Sequence, residues 1–200
     1  WVSVTAGAFH SCGVKVDGTA WCWGSNGSRQ LGNDSTTNSS VPVPVAGAGL
    51  SDASWSAVTA GNDYTCRIKT GELWCTGNNS DGQLGIGTNT SITTQEQVTA
   101  LPSISRASAG FSHTCAVGKD RTLWCWGSNF AGQLGNGGTT ASNLPAQVGS
   151  DTNWKTVSAG GFSTCATKTN NTLWCWGDNF AGQLGNGTTT QANTPTLVSG

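Results

Sequence analysis

Methionine is absent from this chain, and charge is scarce. Lys, Arg, Asp and Glu make up 10% of its 200 residues, against roughly a quarter in an average soluble domain. Nine basic and ten acidic residues leave a formal net charge of −1, so electrostatics give no reason to expect nucleic acid or an anionic membrane as a partner. No apolar run approaches the ~20 residues of a membrane-spanning helix, so membrane insertion is not expected. No nucleophile elbow, phosphate loop or acidic calcium loop occurs. The carboxylates are scattered over turns, without the spacing of an acid–base pair. These absences argue against an enzyme and against a cofactor. The chain starts at Trp1, with neither an initiator Met nor a signal peptide. It therefore reads as a processed or excised piece whose targeting segment is out of view.

The residues that are plentiful are Gly (29), Trp (10) and Cys (8), with many Ser, Thr and Asn. Such a composition favours short strands joined by Gly/Asn turns. An even number of regularly spaced cysteines points to an oxidising compartment, hence a secreted or cell-surface protein. The chain also repeats itself. The first Cys of each unit falls at 12, 66, 115 and 165, and the second at 22, 75, 125 and 175. Each second Cys follows a Trp (Trp21, Trp74, Trp124, Trp174), and three precede another (Trp23, Trp126, Trp176). Gly-x-Asn comes next, from Gly24, Gly77, Gly127 and Gly177, then Gln-Leu-Gly from Gln30, Gln83, Gln133 and Gln183. The units run over residues 1–54, 55–103, 104–153 and 154–200.

The spacing inside a unit predicts an antiparallel hairpin. Pairing Cys12 with Cys22 leaves the loop Val16-Asp17-Gly18, with Gly18 at the left-handed position of a bulged turn. Arg121 and Asn171 take that position in units three and four. Unit two is one residue shorter, and pairing Cys66 with Cys75 leaves the two-residue loop Thr70-Gly71, with Gly where positive φ is needed. The cysteines thus stay in register when the turn changes, which favours four cross-strand disulfides: Cys12–Cys22, Cys66–Cys75, Cys115–Cys125 and Cys165–Cys175. Free buried thiols of a cytosolic protein are the alternative. A zinc site is not expected, because its cysteines would stand two to four residues apart. In the same register a small residue (Gly13, Ala116, Ala166) faces the first Trp, and in unit two Arg67 faces Trp74 as a cation–π candidate. Both faces of each hairpin are apolar, so each must be covered on both sides. Four-stranded sheets stacked around an axis provide this, and the expected fold is all-β: a β-propeller of four blades forming part of a ring.

Ala109-Gly110-Phe111-Ser112-His113-Thr114-Cys115-Ala116-Val117, then Thr122-Leu123-Trp124-Cys125-Trp126-Gly127, then Gly132-Gln133-Leu134-Gly135 closely resemble the regulator of chromosome condensation repeat. The resemblance extends over all four units, and the Cys- and Trp-rich form looks like the family's bacterial secreted branch. It implies four-stranded blades of about fifty residues, normally seven to a ring, whereas four are present here. The family includes a nucleotide-exchange factor for a nuclear GTPase, which relies on an inserted β-wedge for which these units have no room. It also includes a secreted β-lactamase inhibitor. Fold resemblance does not fix function.

Candidate binding residues lie where the units differ. His10 and His113 occupy one repeat position, with Tyr64 and Ser163 in the other units; lining a rim or the axis is one reading and bonding a neighbouring strand the other. Phe130 and Phe180 precede Ala-Gly-Gln-Leu-Gly and are candidate aromatic anchors; Arg67 is a further candidate binding residue. The recurring Asn26, Asn79, Asn129 and Asn179 are expected to be architectural. The long Ser/Thr/Asn-rich linker from Asn33 to Ser54 carries two glycosylation patterns, at Asn33 and Asn38. The function expected is an extracellular, non-catalytic interaction module for a protein or glycan. The alternatives are self-assembly of copies, since Trp1 and Gly200 fall near repeat boundaries, and inhibition of a secreted enzyme.

Overall fold

The computed structural model describes residues 1–45 and 54–198, so the linker's second half lies outside the described residues. Blade 1 holds β1 (Ser3–Ala6), β2 (His10–Val14), β3 (Ala20–Gly24) and β4 (Ser39–Pro44). Blade 2 holds β5 (Trp55–Ala60), β6 (Tyr64–Lys69), β7 (Glu72–Gly77) and β8 (Ile92–Gln97). Blade 3 holds β9 (Ile104–Ala109), β10 (His113–Gly118), β11 (Leu123–Gly127) and β12 (Ser142–Gln147). Blade 4 holds β13 (Trp154–Ala159), β14 (Ser163–Lys168), β15 (Leu173–Gly177) and β16 (Ala192–Leu197). Each blade is an antiparallel meander in chain order. Blade 1 packs on blade 2, 2 on 3 and 3 on 4, through β1, β5, β9 and β13. This is the radial arrangement of a β-propeller.

The hairpin register follows from the spacing. Cys12 pairs with Cys22, Cys66 with Cys75, Cys115 with Cys125 and Cys165 with Cys175, and all four pairs are disulfide-bonded. Gly18 (φ 79°), Arg121 (65°) and Asn171 (65°) take the left-handed position. Blade 2 differs from expectation in one respect: Thr70 (φ 51°) as well as Gly71 (87°) is left-handed. A two-residue loop that matches the strand twist needs both residues there, which overrides the reluctance of a β-branched side chain. The Gly of Gly-x-Asn stands at a bulge in every blade, and at Gly127 (φ 101°) a Cβ would meet the Ser112 carbonyl oxygen at 2.5 Å.

The core lies between sheets, not within any one of them. Three clusters fill the three joints, with Leu31 and Trp55 in the first, Leu84 and Trp126 in the second, and Leu134, Trp154 and Trp176 in the third. A polar clasp closes each joint. In the second, Thr114 Oγ1 (2.8 Å) and Trp126 Nε1 (2.9 Å) both donate to the Gln83 carbonyl. In the third, Thr164 Oγ1 (2.8 Å) and Trp176 Nε1 (2.9 Å) donate to the Gln133 carbonyl. In the first, Thr65 Oγ1 donates to the Gln30 carbonyl at 2.7 Å. The repeated Asn is architectural. Asn129 Oδ1 accepts from Leu134 N, and its Nδ2 donates to the Gly138 and Thr140 carbonyls. Asn26, Asn79 and Asn179 hold the same loop in the other blades.

Candidate binding rim

Several sequence candidates sit inside the joints. His10 and His113 are buried, and their Nε2 atoms lie 2.8 Å from Thr65 Oγ1 and Thr164 Oγ1 of the next blade. Each threonine gives its single proton to a glutamine carbonyl, so its oxygen accepts from the histidine Nε2–H. The proton is therefore on Nε2, and Nδ1 is left with no hydrogen-bond partner. Burial lowers the pKa of both imidazoles from 6.5 to about 4, with Arg67 adding to the shift at His10. Tyr64 fills the same position in blade 2, where its hydroxyl donates to the His113 carbonyl and lies 3.0 Å from Thr114 Oγ1. Burial raises its pKa.

Arg67 stands opposite Trp74 in the ladder, but the expected cation–π pair is not what its guanidinium forms. It crosses the first joint instead, where Nη2 lies 2.9 Å from Cys22 Sγ and 3.2 Å from the Leu31 carbonyl. The reason is space: blade 1 leaves room there, and the Trp74 indole turns its N–H to Glu72. Arg67 is fully buried with Nε and Nη1 unpartnered, and burial lowers its pKa to about 9. These four residues are buried and join neighbouring blades. Asn33 and Asn38 accept hydrogen bonds from Asn26 and help to shape their loop.

The accessible chemistry is on one rim. The loops from first to second strand and the loops after each third strand lie at the same end of the sheets, because His10 pairs with Gly24 and His113 with Gly127. Main-chain bonds join the two loop sets, from Ser25 N to the Phe9 carbonyl and from Asp178 N to the Phe162 carbonyl. All five phenylalanines of the chain are in these loops. Their exposures are 71% for Phe9, 48% for Phe111, 62% for Phe130, 39% for Phe162 and 81% for Phe180. Phe162 is the centre of a cluster, 5.6 Å from Phe111 and 5.0 Å from Phe130 between ring centroids. Beside them the Ala-Gly ends of the inner strands of all four blades surround a shallow axial cup of about 260 Å³, with Asn62 and Phe111 at its edge.

Phe130 and Phe180 were legible in the sequence as variable loop aromatics, but Phe9, Phe111 and Phe162 were not. The available signal was that no Phe falls inside a strand. Charge is also divided between rims. Asp63, Asp81 and Asp178 lie with the phenylalanines, whereas all five lysines are at the other end of the sheets, in or beside the hairpin turns and the starts of the inner strands, mixed there with Asp17, Glu72, Asp120 and Asp151. Among the described residues no three His, Cys, Asp or Glu side chains group so as to hold a metal ion.

Comparison with known proteins places these features in a family. The profile of the regulator of chromosome condensation (RCC1) repeat matches residues 17–68, 70–117, 120–167 and 170–200. Among curated relatives, the ultraviolet-B receptor UVR8 of Arabidopsis thaliana is 33% identical over 125 residues, which is 60% of this chain and 28% of that protein. Among solved structures, human WBSCR16 superposes with a TM-score of 0.89 at 19% identity, covering 98% of this chain and 52% of the other. Yeast RCC1 (Prp20), solved bound to Kap60, gives 0.84 at 21% identity, covering 98% and 48%. The chain thus spans about half the length of those two structures.

Proposed function

Since the chain belongs to the regulator of chromosome condensation repeat family, we propose that it is an extracellular, non-catalytic β-propeller module that docks a protein through its phenylalanine rim. One observation carries this reading: every Phe of the chain is exposed, and all share one rim. Phe normally belongs to the interior, and clustered exposed aromatics are what interfaces use as anchors. The four disulfides support an oxidising compartment. Proteins of this fold accept protein partners, as the complex of yeast RCC1 with Kap60 illustrates.

The test uses the protein and the variant Phe111→Ala/Phe130→Ala/Phe162→Ala as paired baits on extracellular protein, read by quantitative mass spectrometry. The removed rings are on the surface, so the variant keeps its fold. At least one partner should be retained by the protein and lost by the variant. Identical retained sets would remove the rim from consideration.

A second reading, association of copies, is favoured by the outer faces of the end blades. On blade 1, Trp1 and Trp23 lie 6.3 Å apart at 60°, the arrangement of Trp154 and Trp176 inside the third joint (6.1 Å, 60°). On blade 4, Gln183 is exposed where Gln30, Gln83 and Gln133 are buried. The two faces are complementary halves of the same joint. Light scattering across a range of concentrations decides it: a mass that grows with concentration and falls back in Trp23→Ala supports association, and a constant mass near 20.4 kDa removes it.

A further inference from the structure

We infer that the segment docked on the phenylalanine rim is cationic, a stretch of a protein partner in which Lys or Arg alternates with apolar side chains. The inference rests on the rim's role as the docking surface and adds the chemistry of what docks there. Its basis is a charge imbalance that the chain does not neutralise. Asp63 accepts from Gln30 Nε2 at 3.1 Å and from Asn62 Nδ2 at 2.6 Å. Asp178 accepts from Gln183 Nε2 at 2.8 Å and Asp81 from Ser80 Oγ at 3.5 Å. All these donors are neutral, so they orient the three carboxylates without supplying an opposite charge. Arg29, whose Nη1 donates to the Ser91 carbonyl, lies on the same rim, and the three carboxylates outnumber it. The ion pair found among the described residues, Lys168 with Asp151, is on the opposite rim.

The order of groups around the rim suits such a segment. Blade 2 presents Asp63 and Asp81 and no Phe, with Phe9 of blade 1 on one side and the Phe111–Phe130–Phe162 cluster of blades 3 and 4 on the other. Carboxylates already aligned by neutral donors pair with ammonium or guanidinium groups without further ordering. Exposed ring faces take apolar side chains, and they take cations through the ring quadrupole. An anionic partner would meet uncompensated like charge, which selects against it. The opposite rim mixes its lysines with Asp17, Glu72, Asp120 and Asp151 and carries no Phe, so the combination of aromatic rings and excess carboxylate is found at one end of the propeller.

The test is selection from a random dodecapeptide library displayed on phage, with the disulfides intact. Three baits are compared: the protein, Asp63→Asn/Asp81→Asn, and Phe111→Ala/Phe130→Ala/Phe162→Ala. The expected result is enrichment of Lys and Arg together with apolar residues. A synthetic peptide of the enriched sequence should bind the Asn variant about tenfold more weakly at low ionic strength, and the difference should shrink as salt rises. The Phe variant should lose it. Peptides that need the phenylalanines but carry no basic residues, or bind the Asn variant equally well, overturn the cationic partner and leave the rim as a docking surface. Selected peptides that bind all three baits alike, or no selection at all, overturn both. Phe-dependent retention of a neutral glycan, with no basic peptide selected, assigns the rim to sugars and also overturns the inference.

Discussion

Acid should open the first and third joints of this propeller before it affects anything else. The chain has two histidines, and both are buried, uncharged and held at about 4 against an ordinary 6.5. In the unfolded chain each takes up a proton near pH 6.5, while in the folded protein it does not until near pH 4. The unfolded state therefore binds more protons throughout that window, and stability falls as pH falls through it. Stability is complete above about pH 7 and reaches its full loss below about pH 4. One pKa unit corresponds to 1.36 kcal/mol, so at pH 5 the two sites together remove about 4 kcal/mol, a large share of a typical domain's stability. The structural cause is Nδ1: once protonated it becomes a buried donor with nothing to receive it. Urea denaturation at pH 7.5, 6 and 5, with the disulfides intact, measures the loss. The double replacement His10→Tyr/His113→Tyr should flatten the curve between pH 7 and 5, because Tyr64 already occupies that position in blade 2 beside Gly61. Stability unchanged from pH 7.5 to 5 in the original protein, or an equal loss in the double variant, would refute the reasoning.

Two further outcomes follow from the joints. Replacing Arg67 by Met should stabilise the fold by about 1–3 kcal/mol in urea denaturation, since a buried guanidinium without a carboxylate gives way to an apolar chain of similar length. It should also raise the His10 pKa, because the Arg67 charge contributes to its depression; an unchanged NMR titration of His10 would contradict this. Asn129→Ala should cost about 3 kcal/mol by leaving the Leu134 amide and the Gly138 and Thr140 carbonyls unpaired. Hydrogen exchange should quicken at Leu134 above all, and unchanged protection there would count against the assigned role.

Legibility in the sequence followed the range of the interaction. The hairpin was readable because Cys115 and Cys125 are ten residues apart and strand pairing keeps residue numbers at a constant sum. The Asn129 loop was readable as architecture because the residue recurs in every unit. The role of His113 was not, since its partner Thr164 lies 51 residues away in the next blade. Arg67 misled for the same reason: the strand register put it opposite Trp74, but the space its guanidinium fills belongs to blade 1. At the rim, Phe130 and Phe180 drew notice by differing from Gly27 and Ser80, whereas Phe111 and Phe162 sit at unequal places in their loops and come together only in space.

The sequence by itself determined the repeat, the hairpin register, the four cystine pairs and the all-β class. These depend on contacts within about ten residues or on patterns that recur, and strand periodicity and turn stereochemistry dictate them locally. The tertiary structure alone decided which face of each blade meets its neighbour, which histidine nitrogen is left bare, and that all the phenylalanines share one rim with uncompensated aspartates. Those outcomes depend on how whole sheets pack side by side, because a blade buries its two apolar faces only against other blades.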